Sequence, residues 1–220
     1  MPHSLLHRKP PRRIAIVSRE VSGVTGTTTT ILEHSRRLSR AGWEVHVFGE
    51  RLDVGRLAAA GAESHLIRRW RLGSFFKRRL FAWLLARELR GESFALVCGH
   101  GDTLDQDVLS LHNCVHAAHL AVHGRALPAR SGVGRMHARM LGERRFRLLI
   151  ANSDLMRREV VGRFDVPPDS VLVIHPGHDP ERFKPGDRER LGAPLRRELG
   201  LGKEEFLIGL LSSGDFAKRG

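Results

Sequence analysis

A glycine and two cations close the sequence in a pattern that can bind phosphate. Residues 206–220, FLIGLLSSGDFAKRG, are an apolar run followed by Gly214 and the basic pair Lys218 and Arg219. Backbone N–H groups after a glycine turn and basic side chains at a helix start both favour anions. We predict that Lys218 and Arg219 contact a phosphate group. The alternative is a charged helix start on the surface.

A second glycine loop, REVSGVTGTTTT over residues 19–30, precedes a helical pattern. Gly23 and Gly26 let a phosphate or sugar approach the backbone, and the helix N-terminus favours an anion. We predict that both glycines contact the phosphate of a bound ligand. The spacing is not GxGxxG, which disfavours a dinucleotide, and a purely structural turn is the alternative. Glu50, at the end of a predicted strand, has the position of a ribose-binding acid, but we interpret it as a surface carboxylate.

Polar side chains are also concentrated in residues 99–123. His112 ends a predicted strand, where an imidazole can donate a hydrogen bond or transfer a proton near neutral pH. We predict that His112 is a catalytic residue. Three neighbours are predicted to bind hydroxyl groups of a second ligand: Asp102, Asp105 and Asn113.

The histidines of this stretch allow a metal-site alternative. His112, His116, His119 and His123 are spaced four, three and four apart, so a continuous helix would align them on one face, with Cys114 nearby. Such a cluster could bind zinc. His112 belongs to a strand end and Cys114 lies off the face, so we expect no metal.

Short apolar runs alternate with helical patterns along most of the chain. Several runs lack period-2 alternation, which indicates strands of a parallel sheet that is buried on both faces. We predict an α/β fold with a doubly wound, Rossmann-like sheet. The predicted strands are 13–18, 44–49, 64–67, 94–99, 107–112, 147–152 and 170–175, with helices at 74–90 and 153–164 among those between them.

The character of the sequence changes near residue 186. Residues 1–12 are predicted to be a flexible tail, and residues 13–186 a Rossmann-like domain. The charged residues 187–205 suggest a linker. Residues 206–220 are predicted to be the first strand and loop of a truncated second domain.

The composition is strongly basic, with 37 Lys and Arg against 24 Asp and Glu and a formal net charge of +13. This surplus favours polyanionic partners. No DNA- or RNA-binding motif accompanies it, so we expect no nucleic-acid partner. The first residues lack a signal-peptide pattern, and the two cysteines, Cys98 and Cys114, suit a reducing cytoplasm.

Aromatic and basic residues are clustered in residues 68–90, RRWRLGSFFKRRLFAWLLARELR. A helix that presents aromatic rings beside arginines can lie in an anionic membrane surface. The alternative is that Leu80, Trp83 and Leu84 pack against the sheet while the arginines are solvated. Five residues are predicted to contact the membrane: Trp70, Arg71, Lys77, Arg78 and Arg79.

Residues 148–185, LLIANSDLMRREVVGRFDVPPDSVLVIHPGHDPERFKP, resemble the end of the N-terminal domain of GT-B glycosyltransferases of family 4. That family shows a strand ending in Asn-Ser, a helix, a strand, and then Pro-Asn-Gly-Val-Asp, Phe and Pro. His175–Pro176 replaces the usual Pro-Asn, and His178 replaces the valine. The terminal loop with its two adjacent basic residues is most similar to lipopolysaccharide core glucosyltransferases. The matching residues are Asn152, Ser153, Gly177, Asp179, Phe183 and Pro185.

The resemblance implies the acceptor-side half of a two-domain enzyme, inactive by itself, cut just inside the donor-binding half. It implies transfer of a sugar from a nucleotide-diphosphate sugar to a lipid-linked or lipopolysaccharide-type acceptor, with retention of configuration and without a metal or other cofactor. It places His112 beside the donor sugar and Arg219 on the donor diphosphate. Gly26 aligns with the second glycine of the family's Gly-Gly loop, where Thr25 replaces the first.

The resemblance also implies a cytoplasmic protein, expected to be a monomer, that is peripheral on the inner face of the plasma membrane. A second class of function is kept as an alternative: a non-catalytic, basic Rossmann-like module that binds polyanions such as anionic lipid or nucleic acid. Preference for duplex DNA over anionic vesicles, with a steep salt dependence, would favour that module.

Overall fold

The computed structural model describes residues 12–68, 73–181, 183–202 and 204–209. Its strands are β1 (Arg12–Val17), β2 (Glu20–Val21), β3 (Trp43–Gly49), β4 (Arg51–Leu52), β5 (Ala62–Leu66), β6 (Leu96–Gly99), β7 (Val108–Leu111), β8 (Leu148–Ala151) and β9 (Val171–Val173). Its helices are α1 (Gly26–Arg40), α2 (Val54–Ala59), α3 (Ser74–Arg90), α4 (Val115–His123), α5 (Gly132–Glu143), α6 (Asp154–Phe164) and α7 (Asp187–Glu198).

Seven strands form one parallel sheet in the order β5-β3-β1-β6-β7-β8-β9. The chain runs outward from β1 to β3 and β5, and then returns to β6 on the other side of β1. This reversal creates a topological switch point between the carboxyl ends of β1 and β6. The predicted doubly wound, Rossmann-like fold is confirmed. A short parallel pair, β2 and β4, lies beside it.

The two faces of β1 explain why its sequence shows no period-2 pattern. Ile14 and Ile16 belong to a core cluster with Ile31 of α1 and Leu57 of α2. Their neighbours Ala15 and Val17 belong to a second cluster, together with side chains of α3. Because helices cover both faces, every residue of the inner strand can be apolar.

A third core cluster supports the other half of the sheet. Leu109 of β7 and Leu149 of β8 pack with Leu141 of α5 and Val160 of α6. Packing against helices α5 and α6 therefore holds β7 and β8 in position within the sheet. This matters because the strand ends carry the candidate site.

The chain divides into two compact units, up to Ile174 and from His175 onward. Within the second unit, α7 follows a turn in which Asp179 accepts hydrogen bonds from the backbone of Glu181 and Phe183. Residues 206–209 are not in a strand, and residues 210–220 and 1–11 lie outside the described residues. The predicted tail, linker and second-domain boundaries stay predictions. Both cysteines are free thiols.

Candidate functional site

Charged side chains meet at the switch point of the sheet. Arg19 follows β1, Glu50 follows β3, and Asp102 lies in the loop after β6. The Nη2 atom of Arg19 donates to Oε2 of Glu50 at 2.6 Å, and its Nη1 donates to Oδ2 of Asp102 at 3.3 Å. Arg78 of α3 contacts both carboxylate oxygens of Asp102. We call these four residues the switch-point network.

The switch-point network is largely buried. The side chain of Glu50 is 5% exposed and that of Arg19 is 16% exposed. Burial alone lowers the pKa of Arg19, but hydrogen bonding to Glu50 and the charges of Asp102 and Glu50 outweigh it, so its pKa is raised. The arginine is therefore a fixed cation. Glu50 is not the surface carboxylate that the sequence suggested.

Backbone geometry in the loop after β6 holds Asp102 in place. Asp102 has a φ of 60°, in the left-handed region that aspartate tolerates better than most side chains. A Cβ at Gly99, the last residue of β6, would collide with Thr103 and Gln106. Glycine at this position lets the loop fold back over the strand end.

A pair of histidines lies at the next strand ends. Nδ1 of His100, after β6, and Nε2 of His112, after β7, are 2.7 Å apart and share a hydrogen bond. Their rings stack with centroids 5.0 Å apart, and His34 of α1 lies 6.4 Å from His100. Asn152, after β8, donates from Nδ2 to the backbone oxygen of His112 at 3.2 Å. The Asn-Ser motif thus ties the end of β8 to the end of β7.

Both histidines are neutral at pH 7. Burial, with smaller contributions from His112 and His34, lowers the pKa of His100 to about 3. Burial and the proximity of His34 also lower the pKa of His112. Among the described residues, no group pairs with Nδ1 of His112. That nitrogen can therefore donate or accept a hydrogen bond toward a ligand.

Neutral His100 makes stability depend on pH. Between its folded pKa of about 3 and the ordinary value of 6.5, the unfolded chain binds more protons than the folded one. Its contribution is complete above pH 6.5 and is lost, at up to about 1.4 kcal/mol per pH unit, as the pH falls. We expect His100→Phe to flatten this slope in urea unfolding at a series of pH values.

Leu155→Phe, at an exposed position on α6 without a titratable group, is the control and is expected to leave the slope unchanged. Buried His137, whose pKa burial lowers to about 4, keeps part of the slope in both variants. If His100→Phe unfolds with the pH dependence of the parent chain, the neutral assignment of His100 is wrong.

The glycine loop of residues 19–30 lies at the start of α1. Thr25 caps the helix by accepting a hydrogen bond from the N–H of Thr28 at 3.1 Å, so a threonine serves here where the family has glycine. Gly23 has a φ of 67°, and its carbonyl accepts from Nη1 of Arg56 at 2.8 Å. Apart from the chain neighbours and the backbone of α1 itself, no heavy atom of the described residues lies within 4 Å of a Cβ built at Gly23 or Gly26. Space for a ligand therefore exists beside this helix N-terminus.

The predicted hydroxyl-binding residues are separated by the fold. Asp102 is held by two arginines within the switch-point network. Asn113 is exposed beside His112, and its backbone oxygen accepts from Nε2 of His137 at 3.1 Å. Asp105 pairs with Arg145 at 3.0 Å at the amino edge of the sheet. The loop from β6 to β7 crosses the sheet from its carboxyl edge to its amino edge, which carries Asp105 away from His112.

The row of histidines in α4 does not form one cluster. His112 precedes the helix and faces His100, whereas His116 packs against His137, with ring centroids 5.6 Å apart. His119 and His123 pair with each other at 4.3 Å. His116, His119 and His123 share a face of α4, but His112 lies outside the helix, so the four-histidine face that the zinc alternative required is not formed.

The predicted membrane-contact residues of α3 do not all face the solvent. Arg78 turns inward to Asp102, and Arg79 is exposed with its guanidinium 5.8 Å from the ring of Phe75. Lys77 is half-buried. The other predicted residues, Trp70 and Arg71, lie outside the described residues, as do Lys218 and Arg219 of the predicted phosphate site.

Sequence reasoning did not single out Arg19 or His100 and interpreted Glu50 as exposed. Each of these residues directly or almost directly follows a strand. In a parallel sheet the carboxyl ends share one edge, so the signal was the position of each polar residue relative to a strand end. Which of these residues meet depended on strand order.

The fold and this edge define a Rossmann-like domain with a cluster of charged and polar side chains at the switch point of its sheet. The chain belongs to glycosyltransferase family 4, because the family model described as Glycosyltransferase Family 4 matches residues 24–182. The family that the sequence resembles is thereby confirmed.

Two comparisons with named enzymes agree with this assignment. The chain is 30% identical over 232 residues to a D-inositol 3-phosphate glycosyltransferase of Salinispora arenicola (strain CNS-205), covering 90% of this chain and 52% of that protein. It is 34% identical over 99 residues to a protein of the same name from Actinosynnema mirum, covering 43% and 23%. The chain thus spans about half the length of the first of these relatives.

Solved structures share the fold at low sequence identity. WaaG, a glycosyltransferase involved in lipopolysaccharide biosynthesis, matches with a TM-score of 0.65 and 15% identity, over 87% of this chain and 52% of that one. HepE of Anabaena, in complex with UDP-glucose, matches with a TM-score of 0.55 and 15% identity, over 86% and 50%. Both likenesses support the fold assignment.

Proposed function

We propose that this chain is the acceptor-side half of an enzyme that transfers a sugar from a nucleotide-diphosphate sugar to a lipid-linked or lipopolysaccharide-type acceptor. We further propose that the reaction retains configuration and needs no metal. Membership of family 4 favours this function over a non-catalytic polyanion-binding module. The observation that supports it most directly is the neutral His112, held at the carboxyl edge by His100 and Asn152.

The chemistry assigned to His112 follows from its protonation state. During transfer, the bond from the anomeric carbon to the diphosphate breaks, a bond to an acceptor hydroxyl oxygen forms, and the hydroxyl proton leaves. A neutral imidazole can donate a hydrogen bond to a sugar oxygen or accept that proton in passing. We do not assign His112 as a nucleophile.

The negative charge that develops on the diphosphate requires fixed donors. The guanidinium of Arg19 is already hydrogen-bonded to Glu50 and Asp102. We therefore propose that Arg19 holds the ends of β1, β3 and β6 together and does not bind the diphosphate. We propose Gly23 and Gly26, beside the N-terminus of α1, as the donor-phosphate contacts within the described residues, with Lys218 and Arg219 beyond them. The open space at both glycines supports this assignment.

The test compares the 220-residue chain with the protein expressed from its complete reading frame. Each is incubated with UDP-glucose and other nucleotide sugars and a lipid extract, and nucleotide release and sugar in the lipid phase are measured. We expect transfer by the second protein that persists in chelator and gives a product of unchanged anomeric configuration. Absence of both nucleotide-sugar binding and transfer would overturn the proposal.

The names of the relatives support a second acceptor class, a phosphorylated polyol. Enzymes that match this chain are called D-inositol 3-phosphate glycosyltransferases. A helix N-terminus beside open backbone, as at Gly23, favours a phosphate group on an acceptor as well as on a donor. Adding inositol 3-phosphate to the same assay distinguishes the two classes, because its product stays in the aqueous phase.

We also propose that α3 docks on an anionic membrane surface. Phe76 is 65% exposed and Trp83 is 54% exposed, while Phe81 and Leu85 are buried in the core. No described helix is long and apolar enough to cross a bilayer. The exposed aromatic and basic residues fall three or four positions apart, on one helix face: Phe76, Arg79, Trp83, Arg87 and Arg90.

Removing the two aromatic rings tests the membrane proposal. Burying each ring in the interface contributes on the order of 1.5–3 kcal/mol, so the double variant Phe76→Ser, Trp83→Ser is expected to bind anionic vesicles at least about tenfold more weakly. Co-sedimentation with vesicles measures this. Leu155→Ser, an exposed leucine on α6, is the matched control, and equal binding by all three proteins would contradict the docking face.

A further inference from the structure

Three potential metal ligands converge on the edge of the sheet, away from the switch-point network. His46 lies in the middle of β3, and Glu63 and His65 lie on β5, the outermost strand at that edge. We propose that these three residues bind a divalent transition-metal ion, with zinc as the expected ion. Among the described residues, no other group brings three His, Cys, Asp or Glu ligand atoms this close together.

Strand register creates the cluster. In the parallel pair, His46 stands opposite Glu63, and Phe48 stands opposite His65. Because alternate side chains share a face, these four side chains project to the same side of the sheet. The ring of His65 stacks on Phe48 with centroids 4.4 Å apart, which fixes its orientation.

The spacing of the ligand atoms suits a tetrahedral ion. Nδ1 of His46 lies 2.9 Å from Nε2 of His65 and 3.6 Å from Oε2 of Glu63, and Nε2 of His65 lies 3.6 Å from Oε1 of Glu63. Ligands bound at about 2.0–2.1 Å in a tetrahedron are about 3.3 Å apart. Adjustments of a few tenths of an ångström would therefore bring the three donors onto one zinc ion.

One tautomer of His46 suits coordination. Its Nε2 lies 2.8 Å from Oε1 of Glu44 and 3.4 Å from Nε of Arg13, so the tautomer decides which of the two it pairs with. In the tautomer whose Nε2–H donates to Glu44, Nδ1 is unprotonated and lies within 3.6 Å of a ligand atom of both His65 and Glu63. Carboxylate–histidine pairs of this kind orient the imidazole of many zinc sites.

Charge and access also fit a dication. Arg13 is paired with Glu44 at 3.2 Å and with Glu92 at 2.6 Å. The three carboxylates Glu44, Glu63 and Glu92 carry three negative charges and Arg13 carries one positive charge, so two negative charges are in excess.

The side chain of Glu63 is 64% exposed and that of His65 is 32% exposed, whereas His46 is buried. Solvent can therefore reach the ion and supply a fourth ligand. The cluster lies within the strands, so its role would be to join β5 to β3.

Zinc chloride titrated into chelator-treated protein, followed by calorimetry, tests the site. We expect one zinc per chain, a higher melting temperature with zinc, and a tetrahedral visible spectrum when cobalt replaces zinc. Glu63→Gln and His65→Asn are expected to weaken binding at least about 100-fold. Glu44→Gln, which removes only the orienting carboxylate, is expected to weaken it about 10–100-fold.

The control is the double variant His119→Asn, His123→Asn, which removes two adjacent imidazoles from α4. It should bind zinc like the parent chain. No binding by the parent, unchanged binding by Glu63→Gln, or loss of binding only in the α4 variant would each overturn the proposal. Glu63 is an exposed carboxylate, so circular dichroism of this variant should match the parent and keep the test interpretable. The readout is metal binding, so its outcome is independent of any sugar transfer.

Discussion

Replacing Arg19 with methionine is expected to lower the free energy of unfolding by about 3–5 kcal/mol. Glu50 is the most buried carboxylate of the switch-point network, and Arg19 is the cation that satisfies it. Removing one partner of a buried pair leaves an uncompensated charge, which costs far more than the pair itself contributes. Urea unfolding followed by circular dichroism measures the change.

Arg145→Met is the matched control. Arg145 also pairs with an aspartate of the loop after β6, but both side chains are more than half exposed. An exposed pair contributes less than about 1 kcal/mol because water solvates both charges. If Arg19→Met and Arg145→Met destabilise the chain equally, the switch-point network does not stabilise the fold as its burial indicates.

The protein expressed from the complete reading frame is expected to lose about 100- to 10,000-fold of its transfer rate when His112 is replaced by alanine. The loss should fall on kcat, with KM for the nucleotide sugar little changed, because the imidazole acts on the reacting groups. The ring of His112 contacts His100, whereas Asn152 bonds to the backbone oxygen of His112, which alanine also provides. We therefore expect His112→Ala to leave the ends of β7 and β8 in place.

Two further variants complete the kinetic test of His112. His123→Ala, at the exposed end of α4, should retain the parent rate, which shows that loss of a histidine alone is harmless. His100→Phe should lower the rate less than His112→Ala does, because it removes a positioning group and not the reacting one. A His112→Ala variant with unchanged kcat would exclude this residue from catalysis.

The switch-point network and the histidine pair occupy neighbouring strand ends but perform different tasks. The network uses two arginines and two carboxylates to fix the loops after β1, β3 and β6. The pair uses neutral imidazoles, whose proton can move without a change in the buried charge. Under the proposed function, the ionic network holds the strand ends rigid while a neutral imidazole donates or accepts a proton near neutral pH.

The sequence by itself determined the layers of the fold. All seven predicted strands exist, and most are apolar runs without alternation, as expected in a parallel sheet covered on both faces. Residues 74–90 and 153–164 form helices as predicted, within one residue. The Asn-Ser motif and the residues around it also identified the family, because those types recur at fixed spacing.

Only the tertiary structure decided which polar residues meet. Arg19 contacts Asp102 although the two residues are 83 positions apart in the sequence, because the chain turns back from β5 to β6 beside β1. The same reversal drew Arg78 inward, and the crossing loop carried Asp105 to the far edge. Local pattern fixes which segments become strands, but strand order and register are set by the packing of distant helices. No short stretch of sequence contains that information.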